Sequence, residues 1–402
     1  MAGGTFTGQL SVDGFVSDGR GMDLFVGKWS SDGDLAWIRC YGGSDDDQLH
    51  GMAVDRSGNI YLTGYFAKEI DFGGGELVAT ARNTVFLAKL DPGGVLVWAR
   101  AFGVDRYQSG YDVAVDSRGG RVAIAGEFVS TIDFGGSELR SAGSSDIFVG
   151  LFDENGTPIA SRSFGDSSMQ RALGLTFDDD GNLGLVGGFQ GTMDLGGGDL
   201  HGGEGTFVEV FLAKFDSQLN HIWSGPGLAM RNHATHSHQE FESAHAVAVT
   251  GQAGLVVQAA FSEGLALGGQ DFEAPNSSRG VLRAFDRAGG RIFERKLGQS
   301  GAQDEGSVTT DGEGNLWTAV SFLDSIDVDG DHPMLSRGGR DVGLFQFDPE
   351  GRVMQKTSFG EADRSEIAWS VAATSNSVVV GGWVRELGRA GSDEGLVIHY
   401  AR

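Results

Sequence analysis

The sequence predicts an all-β fold, a β-propeller of about seven four-stranded blades of antiparallel sheet. Short apolar strands alternate with turns rich in glycine and aspartate, and no stretch shows helical periodicity. An aromatic residue also closes one apolar strand in every repeat, at Phe6, Phe66, Phe128, Phe189, Phe261, Phe322 and Trp383. The intervals are 60, 62, 61, 72, 61 and 61 residues, so a unit of about 61 residues repeats along the chain.

Each repeat contains four strands, named a to d in chain order, and one repeat shows all of them clearly. Strand a is Asp112–Asp116, strand b is Arg121–Phe128, strand c is Ile147–Phe152 and strand d is Pro158–Phe164. A glycine-rich loop, Ile132–Leu139, joins strands b and c. Strands b and c are almost wholly apolar, which predicts that both of their faces are covered by neighbouring blades.

Residues 1–402 are expected to form a single propeller domain, with an insertion around residues 225–242 that lengthens one interval to 72. Counting strands gives b, c and d at the N-terminus, five complete repeats, and a, b and c at the C-terminus. Both end blades are therefore predicted to be incomplete. We expect upstream residues to supply the missing first strand, although a ring closed in another way is the alternative.

Composition and charge narrow the classes of partner. With 55 acidic and 30 basic residues the net charge is −25, which opposes binding to nucleic acid and to anionic membranes. No apolar run is long enough for a transmembrane helix, and the N-terminal residues do not resemble a signal peptide. The single cysteine, Cys40, excludes an intramolecular disulfide. The sequence does not predict an oligomeric state.

The repeat resembles the seven-bladed β-propeller repeat of the SBBP type, over essentially the whole chain. The resemblance is carried by Val85–Asp91, Trp98–Gly103, Asp112–Asp116 and Gly58–Gly64. It implies the propeller fold, and it implies a bacterial protein that is secreted or displayed at the cell surface. It implies no ligand and no activity.

Two groups of residues have the chemistry of metal ligands. His233, His236 and His238 lie in the insertion and could hold zinc or copper, or could simply belong to a polar loop. Asp327, Asp329 and Asp331 suggest a calcium loop but lack the spacing of an EF-hand. The alternative is that the aspartate recurring at this position hydrogen-bonds its own turn; the corresponding residues in other repeats are Asp71, Asp133 and Asp194.

Connections a–b and c–d are tight turns, whereas connections b–c and d–a are long and lie at the opposite edge of each blade. We therefore expect function at the b–c/d–a edge. The acidic runs 45–47 and 178–180 are expected to be solvated, and the strand tryptophans to pack between blades. No nucleophile with a base and an orienting group is evident. The predicted function is a non-enzymatic binding or structural module for a protein, glycan or cation; the alternative is a propeller hydrolase, lyase or metal-dependent enzyme.

Overall fold

The computed structural model describes residues 1–116, 120–202, 209–230, 243–249, 254–261, 265–267, 270–272, 279–298, 303–387 and 394–401. Every regular element in these ranges is a β-strand, which confirms the predicted all-β class. The described part of the chain contains no helix with the length and hydropathy needed to cross a membrane. Residues 231–242 of the predicted insertion lie outside the described residues, and residues before them extend a strand.

Within the described ranges, seven principal antiparallel sheets follow one another along the chain, and these are the blades. The first contains β1 (Ala2–Val12), β2 (Phe15–Trp29) and β3 (Leu35–Tyr41). The second contains β4 (Asp47–Val54), β5 (Ile60–Phe66), β8 (Thr84–Leu90) and β9 (Leu96–Phe102), with β6 (Glu69–Asp71) and β7 (Glu76–Val78) as a separate small hairpin. The third contains β10 (Gln108–Val115), β11 (Arg121–Phe128), β14 (Asp146–Asp153) and β15 (Pro158–Phe164), with hairpin β12 (Thr131–Ile132) and β13 (Leu139–Arg140).

The remaining sheets repeat this order. The fourth has β16 (Gln170–Phe177), β17 (Leu183–Phe189), β20 (Glu209–Phe215) and β21 (His221–Met230), with hairpin β18 (Thr192–Asp194) and β19 (Asp199–His201). The fifth has β22 (Ser243–Val249), β23 (Leu255–Phe261), β26 (Arg279–Phe285) and β27 (Arg291–Leu297). The hairpin in its b–c connection, β24 (Leu265–Leu267) and β25 (Gln270–Phe272), pairs with β21 of the fourth sheet. The sixth has β28 (Gln303–Thr310), β29 (Leu316–Phe322), β32 (Asp341–Phe347) and β33 (Val353–Phe359), with hairpin β30 (Ser325–Ile326) and β31 (Met334–Leu335). The seventh has β34 (Arg364–Ala373), β35 (Ser377–Glu386) and β36 (Glu394–Ala401).

Strand order a-b-c-d runs through the sheets as predicted, and the two end sheets have three strands each within the described residues. The first holds strands equivalent to b, c and d, and the last holds a, b and c. The sequence predicts a glycine-rich loop for the b–c connection. The structure corrects this detail, because each of these connections in blades two to six folds into a two-stranded hairpin.

The middle strands are covered on both faces because successive side chains point to opposite sides of a strand. In β5, Ile60 and Leu62 pack in one apolar cluster with Leu24 and Val26 of the first sheet. Tyr61, between them, belongs to a different cluster with residues of the third sheet. This alternation explains why strands b and c are apolar at consecutive positions.

The chain divides into two compact units. One comprises residues Met1–Leu183, Gly191–His201 and Lys214–Ile222. The other comprises Gly184–Gln190, Gly202–Ala213 and Trp223–Arg402. The single propeller domain of residues 1–402 stays a prediction.

Tryptophans in strand d connect neighbouring blades. The indole nitrogen of Trp37 donates to the Pro92 carbonyl in the c–d turn of the next blade, at 3.2 Å. Its ring lies over Gly94 of that turn, whose φ of 78° suits glycine and whose missing side chain leaves room for the indole. Trp98 and Trp223 repeat the arrangement toward their own neighbours. The expected packing role therefore holds here, whereas Trp369 differs because it is 65% exposed.

Candidate functional site

The a–b and c–d turns form one edge of the blades, called the turn face. Eight of the described turns are closed by a carboxylate at their first residue, as in Asp153, which accepts hydrogen bonds from the backbone N–H groups of Asn155 and Thr157. The hydroxyls of Ser30 and Thr374 take this role in the first and seventh blades. The bond from Thr157, followed by that from Asn155, lowers the pKa of Asp153. The same pattern occurs at Asp55, Asp91, Asp178, Asp216, Asp286, Asp311 and Asp348. These acids are structural, since turn amides occupy their oxygens.

The b–c hairpins and d–a connections form the opposite edge, called the loop face. Here too a recurring aspartate closes a turn. Asp71 Oδ1 accepts from the backbone N–H groups of Gly73, Gly74 and Gly75 at 2.7, 3.1 and 3.1 Å. Asp133, Asp194 and Asp327 make the equivalent bonds in their hairpins. The turn interpretation of this aspartate is confirmed.

The structure does not gather the three aspartates of the suggested calcium loop around a common point. Asp327 caps its own turn, and Asp329 forms an ion pair with Lys356, whose Nζ lies 2.6 Å from Oδ2. The hydrogen bond from Lys356 lowers the pKa of Asp329 to about 2. Among residues that the structure describes, no three His, Cys, Asp or Glu side chains are arranged to hold a metal ion. Calcium binding at Asp327, Asp329 and Asp331 stays a prediction.

His233, His236 and His238 lie outside the described residues, so zinc or copper binding there also stays a prediction.

The expectation of solvated acidic runs was wrong for one residue in each run. Asp47 is fully buried, and its carboxylate accepts from the backbone N–H groups of Gly43 and Ala67. Asp178 is 1% exposed and forms a 2.7 Å ion pair with Lys214, which is 3% exposed. Composition could not separate these two positions from their solvated neighbours because only the fold shows which acid points inward.

A pocket of about 260 Å³ opens at the loop face between the first and second blades. We call it the acidic pocket. Its lining includes Arg20 and half-buried Cys40. Five carboxylate residues also line it: Asp18, Asp23, Glu69, Asp71 and Glu76. The pocket is smaller than the 300–1,000 Å³ typical of sites for drug-sized ligands, so it suits a single side chain or a small polar group.

Asp23 is the residue that distinguishes the acidic pocket. It is 8% exposed, and its Oδ2 accepts from the backbone N–H of Arg20 at 3.1 Å. Its Oδ1 is buried and, within the described residues, has no hydrogen-bond partner. A Cβ at Gly42 would lie 1.9 Å from that oxygen, so the glycine that ends strand d makes room for the carboxylate. A buried acceptor without a donor is costly, and it marks a place where a ligand can supply one.

The charges near the acidic pocket repel one another. Burial raises the pKa of Asp23, against the effect of the Arg20 backbone N–H. Burial also raises the pKa of nearby Asp47 to about 7, and the carboxylates of Asp23 and Glu69 add to the rise. An incoming positive group would relieve both the desolvation and the repulsion.

A second cluster lies where strand a of the second and third blades is bulged. We call His50, Tyr65, Tyr107 and Tyr111 the aromatic cluster. His50 and Tyr111 are the bulged residues, which the neighbouring strand does not pair. Their rings are stacked with centroids 5.2 Å apart and planes 16° apart. Tyr65 meets His50 edge to face at 5.7 Å, and Tyr107 lies 6.4 Å from Tyr65.

Hydrogen bonds hold the aromatic cluster in place. His50 Nδ1 lies 2.9 Å from the Gly110 carbonyl, and Nε2 lies 3.0 Å from the Gln48 side-chain amide. Desolvation by the surrounding protein lowers the pKa of His50, although the residue keeps exposed surface. The Tyr111 hydroxyl donates to buried Glu127 at 2.6 Å, and Arg171 pairs with the other oxygen of Glu127 at 2.8 Å.

Sequence reasoning missed both sites. Their residues are separated by up to 61 positions within each site and come from different blades, so spacing gives no signal. One cue existed: the residue before the repeat aromatic is tyrosine at Tyr65 and glutamate at Glu127, but glycine or serine at Gly188 and Ser321. A large or charged residue at that position marks blades that differ from the rest.

Comparison with known proteins supports the fold. The described sheets define the class as β-propeller. More particularly, the model of the SBBP β-propeller repeat matches residues 36–65, so the chain carries a repeat of that type. The predicted resemblance is confirmed.

The chain is also 34% identical over 129 residues to the regulatory protein FlaEY of Caulobacter vibrioides. That match covers 28% of this chain and only 13% of the relative. A protein of unknown function from Dyadobacter fermentans is similar in structure, with 11% identity, a TM-score of 0.46, and 88% and 95% of the two chains covered. A PL25 ulvan lyase is similar with 10% identity, a TM-score of 0.41, and 86% and 82% covered. Similarity at these scores and identities says nothing about function.

Proposed function

We propose that the protein is a non-catalytic binding module whose loop face captures a positively charged group, such as a lysine or arginine side chain of a partner protein. The observation that carries this proposal is the buried, unpartnered Oδ1 of Asp23 inside a pocket lined by five carboxylates. An ammonium or guanidinium group would donate to that oxygen and offset the surrounding negative charge. Secretion or surface display, which the repeat resemblance implies, would place the loop face where extracellular partners can reach it.

The proposal favours an organic cation over a metal ion. The pocket acids are already engaged in part: Asp71 binds its own turn, and Glu69 accepts from the Ser44 hydroxyl at 2.6 Å. A calcium ion requires six to eight oxygens at 2.3–2.6 Å, whereas an ammonium group needs only a few acceptors. Arg20 on the rim adds a positive charge that would disfavour a divalent ion.

Binding to a hexalysine peptide, measured by calorimetry against hexaglutamate, tests the proposal. Asp23→Asn should weaken hexalysine binding at least tenfold because it removes the buried charge. Glu138→Gln is the matched control: Glu138 occupies in the third-blade hairpin the position of Glu76 in the second, outside the acidic pocket. It removes one negative charge and should leave binding unchanged.

Equal loss in both variants would show that the overall charge of −25, not the pocket, attracts the peptide. Binding of hexalysine to Asp23→Asn with wild-type affinity would overturn the proposal. Saturable calcium binding that Asp23→Asn abolishes would overturn the assignment to an organic cation.

The enzymatic alternative has its most suitable residues in the aromatic cluster. Burial, and then the Glu127 carboxylate, raises the pKa of Tyr111, so this hydroxyl stays protonated and cannot serve as a base. Glu127 in turn neutralises Arg171. These partnerships favour binding over proton transfer. Turnover of a polysaccharide in a reducing-end assay, lost in His50→Gln, would support the enzyme instead.

A further inference from the structure

We propose that the aromatic cluster is a second binding site, which takes a neutral saccharide ring. It is independent of the acidic pocket, because the two sites share no residue. Three of the six tyrosines of the chain lie in this cluster, together with His50. All three are partly buried and His50 is exposed, whereas the adjacent Phe66 and Phe128 are fully buried. The rings therefore serve a purpose other than filling the core between blades.

The geometry of the rings leaves apolar faces open. Stacking between His50 and Tyr111 covers one face of each ring. The contact between His50 and Tyr65 is edge to face at 69°, and the planes of Tyr65 and Tyr107 differ by 52°. Tilted and edge contacts do not cover the faces of both rings, and these tyrosines are partly exposed, so a ligand could stack on their aromatic surface. The C–H face of a sugar ring matches such a surface.

Polar groups border the rings, as a saccharide requires. The partly exposed Gln48 amide lies beside His50, and it can donate and accept. The partly exposed Arg171 side chain pairs with Glu127, which also accepts a hydrogen bond from the Tyr111 hydroxyl. Sugar hydroxyls also donate and accept, so a hydroxylated ring satisfies this mixture of groups better than a purely apolar ligand would.

The charges near the cluster favour a neutral sugar over nucleotides, anionic glycans and cations. The net charge of −25 disfavours nucleotides and anionic glycans, and the charges of Glu127 and Arg171 beside Tyr111 neutralise each other. A cationic ligand would find no free carboxylate among these residues, because both oxygens of Glu127 are occupied. The site is thus chemically distinct from the acidic pocket.

The test is saturation-transfer NMR and calorimetry with a panel of neutral oligosaccharides: cello-, manno-, xylo- and chito-hexaoses. Wild type should bind at least one of them at millimolar concentration or better. Tyr65→Leu and Tyr107→Leu remove a ring while keeping an apolar side chain, and each should weaken that binding about tenfold. Trp369→Leu is the control, since it removes a more exposed ring in the seventh blade and should have no effect.

Circular dichroism and a thermal melt verify that each variant is folded; if Tyr65→Leu unfolds, Tyr107→Leu decides. Absence of binding to every neutral hexaose overturns the inference, and so does binding that both tyrosine variants retain. Binding of a nucleotide or an anionic glycan that these variants abolish overturns the assignment to neutral sugars. Hexalysine binding should be unaffected by the tyrosine variants, so the two sites fail or succeed separately.

Discussion

The two edges of the blades both carry aspartates, but Asp153 on one edge differs from Asp23 and Asp47 on the other in its surroundings and in its pKa. On the turn face, Asp153 accepts hydrogen bonds from the backbone N–H groups of Asn155 and Thr157, and its pKa is lowered. On the loop face, burial raises the pKa values of Asp23 and Asp47. The turn face is electrostatically satisfied and builds the scaffold. At Asp23, the loop face holds a buried carboxylate oxygen that the described residues leave without a donor, which a ligand can supply.

The largest expected effect tests the turn face. Lys214→Met leaves Asp178 buried without its ammonium partner and should lower the free energy of unfolding by about 3–5 kcal/mol. Urea denaturation measures the change. Lys68→Met is the control, since Lys68 pairs with Asp45 at 2.9 Å on the open surface and should leave stability unchanged. An equal change in the free energy of unfolding of the two variants would contradict a stabilising role for the buried ion pair.

Next in size is a substitution at the loop face. Gly42→Ala places a Cβ against the Asp23 carboxylate and should destabilise the protein by about 1–3 kcal/mol. It should also weaken hexalysine binding, because Gly42 lines the acidic pocket. Gly136→Ala, where nothing lies within 4 Å of the added carbon, should be neutral in both assays. A harmless Gly42→Ala would mean that Asp23 is not held where the structure has it.

The pH dependence of stability sharpens the comparison further. Burial raises the pKa of Asp47 to about 7, that of Asp146 to about 6 and that of Glu366 to about 7. In the unfolded chain these groups titrate near pH 4, so between pH 4 and 7 the folded state binds more protons. Stability should therefore fall as pH rises through this window. Urea midpoints should be lower at pH 8 than at pH 5.

Asp47→Asn should reduce the slope of that pH profile. Asp46→Asn is the charge-matched control, since Asp46 is the exposed neighbour in the same run. Midpoints that rise with pH, or equal slopes in the two variants, would contradict the account of the loop face.

The smallest expected effect concerns the hairpins. Asp133→Ala removes the acceptor for the Gly135 backbone N–H, a 2.7 Å hydrogen bond, and should cost about 1 kcal/mol. Asp133→Asn keeps an acceptor oxygen and should restore most of the loss. If calcium were the reason for this recurring aspartate, removal of calcium would destabilise wild type and leave Asp133→Ala unchanged.

What could be predicted follows from what repeats. The spacing of Phe66 and Phe128 predicts where the b strands lie. The alternating contacts of Ile60 and Tyr61 with two different clusters explain why those strands are apolar throughout. The turn role of Asp71 could also be predicted, because the glycines whose backbone N–H groups donate to it follow it within four residues.

What could not be predicted depends on contacts between repeats. The Asp23 carboxylate is held by the Arg20 backbone N–H and fits because Gly42 has no side chain. The His50 ring is positioned by stacking on Tyr111 and by the hydrogen bond with Gln48. Periodicity describes what the blades share, whereas both proposed sites arise where particular blades depart from the pattern. The hairpin in each b–c connection escaped prediction because its strands are only two or three residues long.

The indole bonds from one blade to the next turn have a consequence for how the chain opens. Trp37, Trp98 and Trp223 occupy the third position of strand d, and each fastens its blade to the following one. The third blade has Ala160 at that position, which offers neither a ring nor a donor. Arg121 of the third blade supplies the donor there instead, to the Gly181 and Ser217 carbonyls in the turns of the fourth blade. Arg121→Ala should therefore let the amide protons of β15 exchange with deuterium sooner than in the wild type.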